Sequence, residues 1–263
     1  FPEISSYHNW LSLHRIFQSK SLQVDRSLNY QELIHSFIKQ LSVDGSVLAL
    51  NIHRSFHRIP FLFPDAKYIH LIRDPRDVAR SSIGMGWAGN VYYGVDHWVA
   101  TERDWILLEK KVLPEQFLQI KFETLIVIPE QVLGRVCEFV GLEYSERMMD
   151  YTLKSTYSNP DASLVNQWKR KLSVREAQYV ELKASPLMSA LGYELSGAQL
   201  ISIGLFAKSK LKMTNKLHKV NFTIKRYGFF LWSKERFSRL FNLKTMHKQV
   251  VGEKNKITQS FLK

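Results

Sequence analysis

Apolar positions recur along this chain at two spacings, and the changes between them mark its elements. Leu33, Ile34, Phe37 and Leu41 share one helical face, as do Trp10, Leu13, Ile16 and Phe17, so residues 1–40 read as two or three helices. Val47 to Ile52 is a short apolar run and a candidate strand. Ile59 to Phe63, stopped by Pro64, reads as a helical turn. Tyr68 to Ile72 is almost unbroken in apolar character, which predicts a parallel strand buried on both faces. A helix starts near Val78, and a flexible loop with Gly84, Gly86 and Gly89 follows it. Residues 96–111 form a strong helix with Trp98, Trp105 and Leu108 down one side. Phe117 to Phe122 is the next strand, and Glu130 to Gly141 is a helix closed by a glycine.

Strand, helix, strand, helix at this spacing is an α/β pattern with crossover connections. Residues 155–166 read as a loop, and Ser173 and Glu176 have capping-box spacing before a helix that Gly192 closes. From Ser196 onward, basic and apolar patches mix without a clean period. The expected division is an α/β domain over 1–195 and a basic helical extension over 196–263, packed on it or appended to it.

Candidate chemistry concentrates in Arg73-Asp74-Pro75-Arg76-Asp77-Val78-Ala79-Arg80-Ser81, where the strand gives way to a helix. Open parallel sheets bind ligands at the C-terminal ends of their strands. A doubly charged phosphate ester needs cationic donors in fixed geometry, and arginine supplies planar, bidentate ones. The same residues also suit a surface salt-bridge cluster. No Gly-x-x-x-x-Gly-Lys-Ser/Thr run is present, which disfavours a nucleoside or sugar kinase.

Composition changes this picture in two places. Residues 1–199 carry 22 Lys or Arg against 22 Asp or Glu, whereas residues 200–263 carry 15 against 2, so the net charge of +13 sits in the C-terminal segment. There Lys208, Lys210, Lys212, Lys216 and Lys219 alternate with Phe206, Leu211, Leu217 and Phe222. The mixture over 206–239 fits a solvated basic face, an anionic membrane or an acidic glycan; nucleic acid is disfavoured, since no recognition motif is present. The single cysteine, Cys137, excludes an internal disulfide and a thiolate metal cluster, and no metal is expected. No long apolar span or signal peptide stands out, so a cytoplasmic or peripheral-membrane location is expected; Phe1 in place of Met suggests an incomplete chain.

The segment Leu62 to Ser81 resembles the 3′-phosphate-binding region of sulfotransferases that use 3′-phosphoadenosine 5′-phosphosulfate (PAPS). Lys121-Phe122-Glu123-Thr124-Leu125 with the helix to Leu142, and Trp168 to Leu172 with the helix to Tyr193, resemble later parts of the same family, in the same order. The resemblance covers roughly residues 45–195 and is nearest the bacterial-type and tyrosylprotein-carbohydrate branch. It implies a three-layer P-loop-like fold with a parallel sheet, incomplete at the N-terminus. Carried over, Arg73 and Ser81 match the pair that holds the cofactor's 3′-phosphate, Arg76 matches a basic rim position, and Ser155 and Tyr157 are further nucleotide contacts. His53, or else His57, would be the general base, with a hydrogen-bonded surface histidine as the competing role. Trp87, Asp96 and His97 would border the acceptor pocket.

The family's 5′-phosphosulfate loop has no match in Ser42-Val43-Asp44-Gly45-Ser46. Either a preceding segment is missing or the protein has lost catalysis, and the chain as written is not expected to catalyse transfer alone. The implied activity is sulfuryl transfer from PAPS to a hydroxyl of a carbohydrate, lipid or small metabolite, releasing adenosine 3′,5′-bisphosphate. The alternative is a non-catalytic relative that binds a 3′-phosphorylated nucleotide or an anionic partner.

Overall fold

The computed structural model describes residues 22–53, 55–153, 158–199 and 201–259. In chain order, helix α1 is Tyr30–Leu41, strand β1 Tyr68–Ile72, helix α2 Pro75–Gly84, α3 Val91–Glu109, strand β2 Phe117–Lys121, α4 Phe122–Val127 and α5 Pro129–Val140. They are followed by the short α6 Trp168–Lys171, α7 Val174–Ala190, α8 Leu205–Tyr227, α9 Phe229–Leu240 and α10 Lys244–Gln259. The chain divides into two compact units, His53–Phe222 and a second one made of the described residues up to Ile52 with those from Thr223 onward.

Caps fix several boundaries. Asn29 and Glu32 form a capping box at α1, and Ser173 and Glu176 form the expected one at α7. Gly141 ends α5 in the left-handed conformation, at φ 81°.

Within His53–Phe222, β1 and β2 pair in parallel, from Tyr68 opposite Phe117 to Ile72 opposite Lys121. The core joins Ile72 with Ala79 of α2, with Val91, Val95, Trp98 and Val99 of α3, and with Val180, Ala184 and Met188 of α7. Helix α3 runs back along β1. Its Trp98 indole N–H donates to the carbonyl of Arg73 (3.0 Å), and about two turns later Trp105 stacks on His70 at 4.0 Å between ring centroids. Gly94 lets α2 and α3 cross closely, because a Cβ there would collide with the Ala79 backbone.

Three expectations are corrected. Strand β1 is not buried on both faces: His70 and Ile72 are buried, but Ile69 and Leu71 are about half exposed, because the packed helices cover one face among the described residues. Val47 to Ile52 forms no strand; it has no backbone ladder partner among the described residues, and Val47, Leu50 and Ile52 are exposed. The Gly84–Gly89 region is pinned rather than loose. Gly89 N–H donates to Asn215 Oδ1 (2.6 Å) and Asn90 Nδ2 to the Leu211 carbonyl (2.8 Å), and a Cβ on Gly89 would meet the Asn215 backbone. The glycine is there for close approach of α8.

The C-terminal segment, without a clean period in sequence, forms α8, α9 and α10, with Gly228 at φ 86° separating the first two. Val250 and Leu231 are buried, and Tyr227 Oη hydrogen-bonds Thr258 Oγ1 at 3.0 Å. The helix expected around Trp10 to Phe17 lies outside the described residues.

Candidate functional site

The corner after β1 is built from charge that the fold has taken inside. Asp74 is the N-cap of α2, accepting from the Arg76 N–H (2.9 Å), and Pro75 occupies the first helical position. The Asp74 carboxylate also grips Arg76 bidentately, through Nε at 2.9 Å and Nη2 at 2.7 Å. Arg76 Nη1 donates to Glu181 Oε1 (2.8 Å), Nη2 also reaches the Glu194 carbonyl (2.9 Å), and the guanidinium lies 3.6 Å over the Trp168 ring. Glu181 completes its shell with Ser196 N–H and Oγ, both at 2.8 Å. Burial works against the Arg76 charge, but Asp74 and Glu181 outweigh it and stabilise the cation.

The rim position expected for Arg76 is therefore corrected. The side chain is 3% exposed and its fork is committed to protein acceptors. It braces β1, α2 and α7 around one buried cation.

Arg73 is placed differently. Its side chain is 25% exposed and lies 4.3 Å over the Phe122 ring, with Nη2 donating to the Leu164 carbonyl at 2.9 Å. Its Nε has no hydrogen-bond partner among the described residues. Stacking on Phe122 and the single carbonyl contact fix the plane of the fork without using it up. Ser81, on α2, is partly buried, and no hydrogen bond from its hydroxyl to another described residue is seen.

Asp77 stands between them in sequence, four residues from each; it shares a helical face with Ser81 on α2, whereas Arg73 precedes the helix. Its Oδ2 lies 4.0 Å from Arg73 Nη2, and its Oδ1 accepts the Trp168 N–H at 2.7 Å. Burial pushes the Asp77 carboxyl above the ordinary range, a rise that the Trp168 bond and Arg73 only partly offset.

Glu123, the second residue of α4, ties β2 to this corner. Its Oε1 accepts the Asp74 N–H (2.8 Å) and its Oε2 the Tyr193 hydroxyl (3.0 Å). Burial and the neighbouring Glu123 push the Tyr193 hydroxyl upward, so it stays a neutral donor. Lys121 Nζ caps the Gly192 carbonyl at 2.7 Å and lies 4.6 Å over the Tyr193 ring.

The other candidates separate into groups. Trp87 and His97 come together edge to face, 5.9 Å between centroids, on the solvent side of the loop and α3. Asp96 is held away by Lys183 Nζ at 2.6 Å, a lysine that also lies 3.6 Å over the Tyr92 ring. His53 is exposed on an irregular stretch. His57 pairs with Asp104, and its carbonyl accepts from Lys111 Nζ (3.0 Å), so it fastens a short 3-10 turn, Phe56–Phe61, to α3. Asp104 lies six residues, about 9 Å of helix, beyond the Trp98 that meets Arg73, so the structure does not bring His57 to the corner. Ser155 and Tyr157 lie outside the described residues.

The profile of the Sulfotransferase family matches residues 5–146, slightly more than half of the chain. The chain belongs to the sulfotransferase family.

Individual relatives agree. Over 123 residues the chain is 31% identical to a 3-beta-hydroxysteroid sulfotransferase of Cavia porcellus, a match covering 39% of this chain and 41% of that protein. Over 159 residues it is 23% identical to a putative protein-tyrosine sulfotransferase of Caenorhabditis briggsae, covering 52% and 56%. The matches thus span about half the length of these relatives or less. Among solved structures, the sulfotransferase domain of the Synechococcus PCC 7002 olefin synthase superposes with a TM-score of 0.51 at 20% identity, covering 63% of this chain and 64% of that one. That likeness shows a shared α/β fold with a small parallel sheet.

Proposed function

We propose that the protein takes part in sulfuryl transfer from PAPS to a hydroxyl acceptor, with the cofactor's 3′-phosphate seated at the corner between β1 and α2. One observation carries this reading. Of the two arginines in the motif, Arg76 is saturated by acceptors inside the protein, whereas Arg73 is partly exposed, held in plane and hydrogen-bonded among the described residues through Nη2 alone. A fork fixed by Phe122 and the Leu164 carbonyl is preorganised for a tetrahedral anion. Ser81 would add a neutral hydroxyl donor, and Asp77 would take up a proton as the anion arrives.

When bound, PAPS supplies an already activated sulfuryl group. This chain's residues would anchor the nucleotide end, and Trp87 with His97 would offer an aromatic edge to the acceptor. His53 is the remaining histidine candidate for deprotonating the acceptor hydroxyl, since His57 is engaged by Asp104. The reading rests on the 3′-phosphate half of the site.

The test is transfer from radiolabelled PAPS to a panel of sugar, steroid and phenolic hydroxyls. Labelled product that disappears with Arg73→Ala supports the proposal. Tight binding of adenosine 3′,5′-bisphosphate without turnover, also when the assay is run with any preceding segment of the protein included, selects the non-catalytic alternative.

A further inference from the structure

Helix α9 is arranged inside out. Its buried face carries Leu231, Glu235 and Ser238, whereas Phe229, Phe230, Phe237 and Leu240, with Phe241 just beyond, are between 51% and 79% exposed. At 100° per residue these five side chains fall within an arc of about 120°, opposite the buried stripe. Two of them touch, Phe237 and Phe241 lying 4.5 Å apart between ring centroids, and Phe229 packs at 5.6 Å on Trp232 at the edge of the arc. Exposed apolar groups scattered singly need no explanation, but five on one helical face do.

The charge on this helix is equally one-sided. Its only acidic residue, Glu235, points inward and accepts from Arg239 Nη2 (2.6 Å) and Lys254 Nζ (2.7 Å). Ser238 Oγ beside it donates to the Glu235 carbonyl at 2.8 Å. The outer side is left with apolar groups flanked by Arg236, Arg239 and Lys234. Across residues 223–259 there are nine Lys or Arg against two acidic residues, and the second, Glu253, lies 4.0 Å from Lys234.

We propose that this face docks on an anionic lipid surface, with α9 lying in the plane of the bilayer interface. Phenylalanine and leucine would enter the headgroup–acyl boundary while arginine and lysine meet lipid phosphates. A second copy of the chain is the poorer occupant, because a two-fold contact through this face would set its cationic flanks against each other. An acidic glycan would answer the charge and leave the phenyl rings in water. The proposal is independent of the nucleotide site.

The experiment is flotation of the full chain with phosphatidylcholine vesicles and with vesicles in which about a third of the lipid is phosphatidylserine. The expected result is binding to the anionic vesicles, weakened by salt, and at least tenfold weaker partition for Phe230→Ser/Phe237→Ser/Leu240→Ser. Those three side chains are exposed, so circular dichroism and adenosine 3′,5′-bisphosphate binding should stay unchanged. No anionic-lipid preference, or a triple variant that floats as well as the parent, overturns the proposal. So does a dimer, seen by light scattering, that the triple substitution dissociates, since the face would then be a protein interface.

Discussion

Two stretches of this chain invert the usual relation between polarity and burial, in opposite senses. At the corner between β1 and α2, Asp74, Arg76 and Asp77 are at most 3% exposed; on α9, Phe230 and Leu240 are 76% and 79% exposed. The corner can go inside because Asp74 pairs with Arg76 and Arg76 with Glu181; Asp77 is met only in part, by the Trp168 N–H on Oδ1, and burial raises its carboxyl accordingly. The phenyl rings of α9 stay outside because the inner face of that helix is already committed to the Glu235–Lys254 pair and Ser238. Saturation of partners, not residue type, decides which side of a helix is buried. Arg76 and Arg73 repeat the lesson three residues apart, one consumed by buried acceptors and one left partly exposed.

The comparison breaks most visibly at Arg76. Replacing it with Ala leaves Asp74 and Glu181 as uncompensated buried carboxylates, and we expect a loss of about 3–5 kcal/mol in urea unfolding. A loss below about 1 kcal/mol would mean that the network behaves like a surface salt bridge. Arg73→Lys is expected to leave the urea midpoint nearly unchanged. It removes the planar fork, and should weaken adenosine 3′,5′-bisphosphate binding by about 1.5–3 kcal/mol, or roughly ten- to 150-fold. Ser81→Ala removes one neutral donor, for about 1 kcal/mol and roughly a fivefold weaker complex by calorimetry.

Smaller effects separate the two regions by the sign of their pH dependence. Asp77 is pushed up by burial, so the folded state binds its proton more tightly than the unfolded chain. Its contribution to stability is greatest below the ordinary value of 3.8 and falls as pH rises through the raised one. Burial also acts on Glu235, but Lys254 and Arg239 outweigh it and hold its carboxyl below 4.5. Its contribution is present above that value and lost as pH falls through the lowered one. Urea midpoints between about pH 3 and pH 7 should therefore lose opposite slopes in Asp77→Asn and Glu235→Gln. The smallest effect belongs to the exposed face: Phe230→Ser should shift stability by no more than about 0.5 kcal/mol, and a larger cost would mean that the ring is packed.

Much of the corner was legible in the chain itself. The apolar run Tyr68–Ile72 and the capping box at Ser173 are local signals, and each element forms where they place it; the helix read from near Val78 instead starts at Pro75, behind the Asp74 N-cap. The separate fates of Arg73 and Arg76 were not legible. They depend on Leu164, Glu181 and Glu194, which arrive from 91, 105 and 118 residues away, and no spacing near residue 73 encodes those partners. Glu123 and Tyr193, which close the corner from β2 and the end of α7, were invisible for the same reason. The glycines at 86 and 89 look like freedom in sequence and act as clearance for Phe222 and Asn215. The run Val47 to Ile52 has strand composition and no ladder partner among the described residues, which composition cannot foresee.

The central claim is that Arg73 reads a phosphate on the ribose 3′ position. It is tested by measuring, in the same buffer, the affinity for adenosine 3′,5′-bisphosphate and for adenosine 5′-phosphate, in the parent chain and in Arg73→Ala. The account predicts that the parent prefers the bisphosphate at least tenfold and that the substitution abolishes this preference while leaving the monophosphate unchanged. A parent that binds both equally, or a variant that keeps the full preference, would contradict it.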